Sequence, residues 1–140
     1  MVKLLALLLC EKATFNRNEK VTLHGLFDGL RIPRPEKVPG SGPQTQLFFV
    51  FYKVVVTSAE ITTAGVPGRI SLRITNPSGE DVQGSWTDPV PFAGAFTWQS
   101  IWALTTDLFQ DSGLYKLELL CSNDGSAVTV GETQLLVEHI

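Results

Sequence analysis

The sequence predicts an all-β protein of about seven to nine strands, a Greek-key β sandwich with a closed β barrel as the alternative architecture. Three observations carry that prediction. Short runs rich in Val, Ile, Leu, Phe and Thr recur between clusters of Pro, Gly, Asn and Asp. No long stretch shows convincing amphipathic helical periodicity. Late in the chain, Asp111-Ser112-Gly113-Leu114-Tyr115 has the order of a strand entering such a sandwich: a turn with a glycine, a tyrosine able to brace it, then alternating core residues.

A length of 140 residues predicts one domain over 1–140, able to bury a core without metals or crosslinks. Hydrophobic residues make up 44% and charged residues 18%, the latter below the usual quarter or so. That shortage suggests covered surface and hence self-association. A net charge of -3 and a pI of about 5.3 leave no overall footprint for nucleic acid. Residues 1–60 hold eight Lys or Arg against five acidic residues, net +3, and residues 61–140 hold three against nine, net -6. Such asymmetry could guide head-to-tail association.

The opening residues 1–10 resemble a signal peptide but fall short of one. The apolar run is brief, no small-x-small site follows, and Glu11 and Lys12 end it. The expectation is a cytoplasmic protein whose first run is a strand, buried on both faces or covered by a partner. Val21–Phe27 pairs with it as a hairpin across the polar Asn16, Arg17, Asn18 and Glu19. Residues 28–46 carry Pro33, Pro35, Pro39 and Pro43 and read as a long loop with an edge segment near Leu30, Arg31 and Ile32.

Leu47–Val56 is the most continuous apolar run, interrupted once by Lys53. Apolar on both sides, it is either a central strand covered twice or one whose outer side meets another molecule. Residues 69–75 alternate cleanly, with Ile70, Leu72 and Ile74 inward. Asn76-Pro77-Ser78-Gly79 turns the chain, residues 82–86 return as the antiparallel neighbour, and Asp88-Pro89-Val90-Pro91 separates that hairpin from residues 92–104. Those residues read as a strand because aromatic and β-branched side chains dominate, with a short helix near the end as the alternative given by the spacing of Trp98, Ile101, Trp102 and Thr105. Tyr115, Leu117, Leu119 and Cys121 point inward, Asn123-Asp124-Gly125 turns a hairpin, and the last strand bends at Gly131.

Motifs for chemistry are scarce. Cys10, Cys121, His24 and His139 form no metal-spacing motif, and two buried thiols are the simpler reading. No GxSxG elbow accompanies His24, which reads as a half-exposed structural histidine, and His139 reads as frayed at the terminus. Asp107 and Asp111 flank Phe109 without the pattern of a calcium loop; the Asp111 carboxylate is expected to accept backbone hydrogen bonds in the turn opened by Gly113. Gly65-Val66-Pro67-Gly68 lacks the lysine and helix of a phosphate cradle. Arg31, Arg34 and Lys37 make a small basic cluster without an aromatic platform. The aromatics, among them Phe49, Phe51 and Trp98, exceed what one side of one strand holds, so any on an outer face would mark a protein or carbohydrate contact.

Four segments, LLLCEKA (7–13), KVTLHGLFDGLRIP (20–33), LFFVFYKV (47–54) and DSGLYKLELLCSNDG (111–125), give the chain a resemblance to a family of bacterial domains of unassigned function with an immunoglobulin-like sandwich. The resemblance implies that Asp111, Gly113 and Tyr115 form the turn and tyrosine of the penultimate strand. Leu117 stands two residues beyond the tyrosine, where a disulfide-bearing domain of that kind would place cysteine. It implies no substrate, cofactor or catalytic residue.

The function expected from these features is non-catalytic protein binding or assembly, with a second copy or another protein as partner, no cofactor or metal, and no nucleic acid or membrane. Phe49, Phe51, Trp98, Arg31, Arg34 and Lys37 are the candidate contacts. The alternatives are a small glycan hydrolase, expected to show a deep polar pocket with Asp107, Asp111 or His24, and a carbohydrate-binding domain using Trp98.

Overall fold

The computed structural model describes residues 2–16, 20–33, 45–57, 68–90, 95–123 and 126–140. These form an all-β sandwich of two sheets. The strands are β1 (Val2–Phe15), β2 (Val21–Phe27), β3 (Gly29–Ile32), β4 (Leu47–Val56), β5 (Gly68–Thr75), β6 (Trp86–Val90), β7 (Phe96–Thr105), β8 (Gly113–Asn123) and β9 (Ser126–His139). A four-stranded sheet has the order β2-β1-β4-β7, and a five-stranded sheet has the order β3-β9-β8-β5-β6.

Alternation builds the core between them. From the four-stranded sheet come Leu7, Leu9, Phe48, Val50, Tyr52, Val54, Val56, Trp102 and Leu104; the five-stranded sheet supplies Ile70, Leu72, Ile74, Val90, Tyr115, Leu117, Leu119, Leu135 and Val137. Leu47–Val56 is a strand as expected, central between β1 and β7. Residues 96–105 are a strand, and Thr106–Leu108 adds a short 3-10 turn. The segment near Arg31 is an edge strand, parallel to β9. At Gly131 the β8–β9 ladder slips by one residue, leaving Val130 as the extra one. An added Cβ at Gly131 would lie 2.2 Å from Leu4 Cδ2, so the end of the Leu4 side chain would have to move to admit one.

Three expectations change. The strand returning along β5 is not 82–86 but Trp86–Val90, with Thr75 and Asp81 forming only an isolated bridge. Pro89, expected to separate elements, is tolerated because β6 lies at the sheet edge, where a missing N–H breaks no ladder. His139 is not frayed: it ends β9 opposite Ile32, and its N–H donates to the Ser112 hydroxyl at 3.1 Å. The first strand is not buried on both faces along its length: Leu7 and Leu9 are buried inward, whereas the outer side has Cys10 buried and Leu5 and Leu8 exposed.

The Tyr115 turn forms, with a correction at Asp111. It uses its main chain rather than its carboxylate: the Tyr115 hydroxyl donates to the Asp111 carbonyl at 2.9 Å and accepts from the Asp111 N–H at 3.0 Å. Burial pushes the Tyr115 phenol up from its ordinary value. Gly113 has φ 136°, and a Cβ there would meet Pro77 at 2.8 Å, so backbone and packing both require glycine. The preceding turn is held by Asn76, whose Oδ1 accepts from the N–H groups of Ser78 and Glu80 at 3.0 and 2.9 Å.

Candidate functional site

The outer side of the four-stranded sheet follows from strand register. Residues opposed across a ladder share a face. One row runs Leu26, Cys10, Phe49, Ala103; the next runs Leu8, Phe51, Ile101; a third runs Ala6, Lys53, Gln99. The one-residue slip between Leu4 and Ala6 sets these rows, because it turns Leu8 and Cys10 outward while Val2 and Leu4 pack on the core.

This side is apolar yet partly wet. Leu26, Leu47 and Leu8 are 59%, 56% and 39% exposed, whereas Phe51 is 6% exposed and Cys10 fully buried. Burial raises the Cys10 thiol above its ordinary value, against a backbone hydrogen bond from Lys12 that lowers it. Besides the Cys10 thiol, its ionisable groups among the described residues are Lys3, Lys12, Lys53 and His24 by register, with no carboxylate on the same rows. His24 is exposed, its Nε2 3.4 Å from the Thr14 hydroxyl.

Trp98 does not join that side. It lies in the inward row of β7, half-buried, and its Nε1 donates to the Tyr52 hydroxyl at 2.9 Å. Tyr52 in turn donates to Asp88 Oδ2 at 2.5 Å, bonding the central strand of one sheet to the edge of the other. Burial first, then the Asp88 hydrogen bond, drives the Tyr52 phenol far above its usual value. Trp102 stacks on the Tyr52 ring with centroids 4.5 Å apart. These groups hold the sheets together.

Arg31 is exposed on β3 and pairs with Glu138 at 3.4 Å. It also lines an open cleft of about 520 Å³ with Glu11, Phe27, Leu30, Gln46 and Phe48. Arg34 and Lys37 lie outside the described residues. Asp107 and Asp111 do share a concavity, open and of about 380 Å³, with Asn76, Gln83 and Gln110. Its only aromatic lining residue among the described residues, Tyr115, is 1% exposed. No group of three or more His, Cys, Asp or Glu is placed to hold a metal ion among the described residues. No helix there is long and apolar enough to cross a membrane.

Sequence reasoning singled out Phe49 and Phe51 but missed Leu8, Leu26, Ile101 and Ala103 beside them. The signal was present in the hairpin: the turn after Phe15 fixes which β2 residue faces Cys10, and alternation does the rest. It missed Asp88 as the partner of Tyr52, because that contact joins different sheets and follows no sequence spacing. Compared with protein-family models and with curated proteins, the chain matches none.

Proposed function

We propose that this chain is a non-catalytic protein-binding module whose contact surface is the outer side of the four-stranded sheet. The observation that carries the reading is the apolar set Leu8, Leu26, Leu47, Phe49, Phe51 and Ile101, with three exposed leucines among them. Binding would bury that surface against apolar groups of a partner. Lys3, Lys12 and Lys53, with no carboxylate on those rows among the described residues, favour a partner whose rim is acidic and disfavour a basic one.

The fold we propose is immunoglobulin-like, and the support for it is the Tyr115 hydroxyl bound to the Asp111 main chain four residues upstream, at the start of β8. A cytoplasmic setting belongs to this proposal; what supports it is that Cys10 and Cys121 are both buried and pack as small apolar side chains.

The test starts from partners recovered by crosslinking in the native cell, followed by titration of the purified partner. Leu8→Ser with Leu26→Ser is expected to weaken binding about ten-fold or more, and added salt to weaken it further. Unchanged affinity in a folded double variant would overturn the reading.

A second reading, glycan recognition or hydrolysis, rests on the Asp107 and Asp111 concavity. Three features weigh against it. The concavity is open, Tyr115 offers no exposed ring for a sugar to stack on, and Asn76 Oδ1 is already bound to turn amides. Sugar release from a polysaccharide panel, abolished by Asp107→Asn, would favour it over protein binding.

A further inference from the structure

Along the strands, the apolar part of the outer side of the four-stranded sheet meets cations at both ends. On β1, Lys3 stands opposite Val55 and Ala6 opposite Lys53; Leu8 and Cys10 follow outward, and Lys12 then stands beside His24. Across the strands no charge intervenes: Leu8, Phe51 and Ile101 make one row, and Leu26, Cys10, Phe49 and Ala103 the next. The result is an apolar band two rows wide, with Lys53 along one side and Lys12 along the other. Leu8 and Leu26 in the band are 39% and 59% exposed, and Leu47, 56% exposed, extends it one step past Phe49 on β4. Lys3, Lys12 and Lys53 form no ion pair among the described residues.

From this geometry we infer that the band seats an amphipathic α-helix of the partner, laid across the strands, with acidic residues on both of its flanks. The inference rests on the reading of this side as the contact surface and names what the partner presents there.

Dimensions favour a helix. Lys12 lies six residues beyond Ala6, the position opposed to Lys53, so about 20 Å of strand separates the two cationic margins. A helix with its side chains is about 10–12 Å across, which leaves about 4–5 Å on either side. A lysine spans that gap with its stem on apolar surface and its ammonium at the helix flank. Along the band, a helical turn rises about 5.4 Å against about 4.8 Å between strands, so anchors one turn apart meet successive strands. Anchors at i, i+3 or i+4, and i+7 reach Leu8, Phe49 and Phe51, and Ile101 in turn.

Other occupants fit less well. A second copy brings only cations to these margins, so self-pairing sets lysine near lysine whatever the axis. A packed sheet would align its strands within about 30° of these and run its apolar rows into the lysines at both ends. An anionic lipid surface has no flanks and gives no reason for two cationic margins at a helix's width.

Three synthetic peptides of about 14 residues test the inference by fluorescence anisotropy. The first carries a leucine stripe at helical spacing with glutamate on both flanks, the second the same stripe with lysine flanks, and the third the composition of the first in strand-like alternation. The glutamate-flanked helix is expected to bind about ten-fold or more tighter than either of the others. Lys12→Glu and Lys53→Glu should each weaken it, and a helix with glutamate on one flank and lysine on the other should bind each single variant better than the glutamate-flanked helix does. Equal binding of the three peptides overturns the inference, as does indifference to both lysine reversals or a preference for the alternating peptide. Vesicles rich in anionic lipid that bind the chain while the glutamate-flanked helix does not would also overturn it, in favour of a membrane. If the crosslinked partner loses affinity on Leu8→Ser with Leu26→Ser while the glutamate-flanked helix neither binds nor competes, the helix fails and the outer-surface reading stands. If that double variant leaves the partner's affinity unchanged, both fail.

Discussion

The outer sides of the two sheets use the same alternation for opposite ends. On the five-stranded sheet, Arg69, Arg73, Lys116, Glu118 and Glu132 stand outward, and Glu118 gathers Arg73 at 3.1 Å, Lys116 at 3.2 Å and the Thr129 hydroxyl at 3.3 Å. Burial pushes the Glu118 carboxyl up, but hydrogen bonds and charge from Arg73 and Lys116 outweigh it and hold the group below its ordinary value. On the four-stranded sheet, the corresponding rows hold leucine, phenylalanine and isoleucine, with lysines at the margins. A side that satisfies its own charges is finished in water. One that leaves leucines exposed gains by meeting another surface.

The largest effect that sharpens this contrast is expected at Phe51. It faces outward yet is only 6% exposed, so Phe51→Ala should cost about 3 kcal/mol, read from the urea midpoint. A change below ~1 kcal/mol would show that the outer rows are not packed. Next comes Tyr52→Phe, which leaves Asp88 and the Trp98 N–H without their hydroxyl partner, at about 1–3 kcal/mol. The phenol is raised in the fold, so its stabilising contribution is complete below pH 10.0, the unfolded value, and is lost as pH rises past it. The variant should lose that alkaline component.

Glu118→Gln probes the wet sheet through pH. The carboxyl is depressed in the fold, so its contribution is present above 4.5, the unfolded value, and is lost as pH falls through the lower folded one. Melting temperature against pH should therefore flatten on the acid side in the variant. The smallest effect belongs to Leu114 and Leu136, exposed leucines opposed on the outer rows of the five-stranded sheet. Changing both to serine should shift stability by about 0.5 kcal/mol or less and leave partner affinity unchanged. A loss of affinity there would dissolve the distinction between the two sides.

Much of the sandwich was legible from residues alone. The continuous apolar run Leu47–Val56 gives a strand, and the period-two patterns at residues 69–75 and around Tyr115 give strands with the expected inward residues, because alternation is a local property of the chain. Pro89 misled because proline marks the end of a central strand but is permitted at an edge, and edge position depends on which strands pair. The Tyr115 turn was legible in kind but not in atoms: the sequence order suggests an Asp111 carboxylate contact, whereas folding brings the tyrosine hydroxyl onto the main chain. For the candidate surface, Phe49 and Phe51 were visible within one strand, whereas Leu26, Leu8 and Ile101 became their neighbours only through three registers. Trp98 looked equivalent to them in composition, yet parity put it on the inner row.

The most direct measurement is a hydrogen-exchange comparison of the free chain and its complex with a purified partner. Contact through the outer side of the four-stranded sheet should bring new protection to β1, β2 and β4, with β5 and the neighbouring half of β8 unchanged. Protection confined to β5, β8 and β9 would overturn that contact, by assigning it to the sheet that already satisfies its own charges.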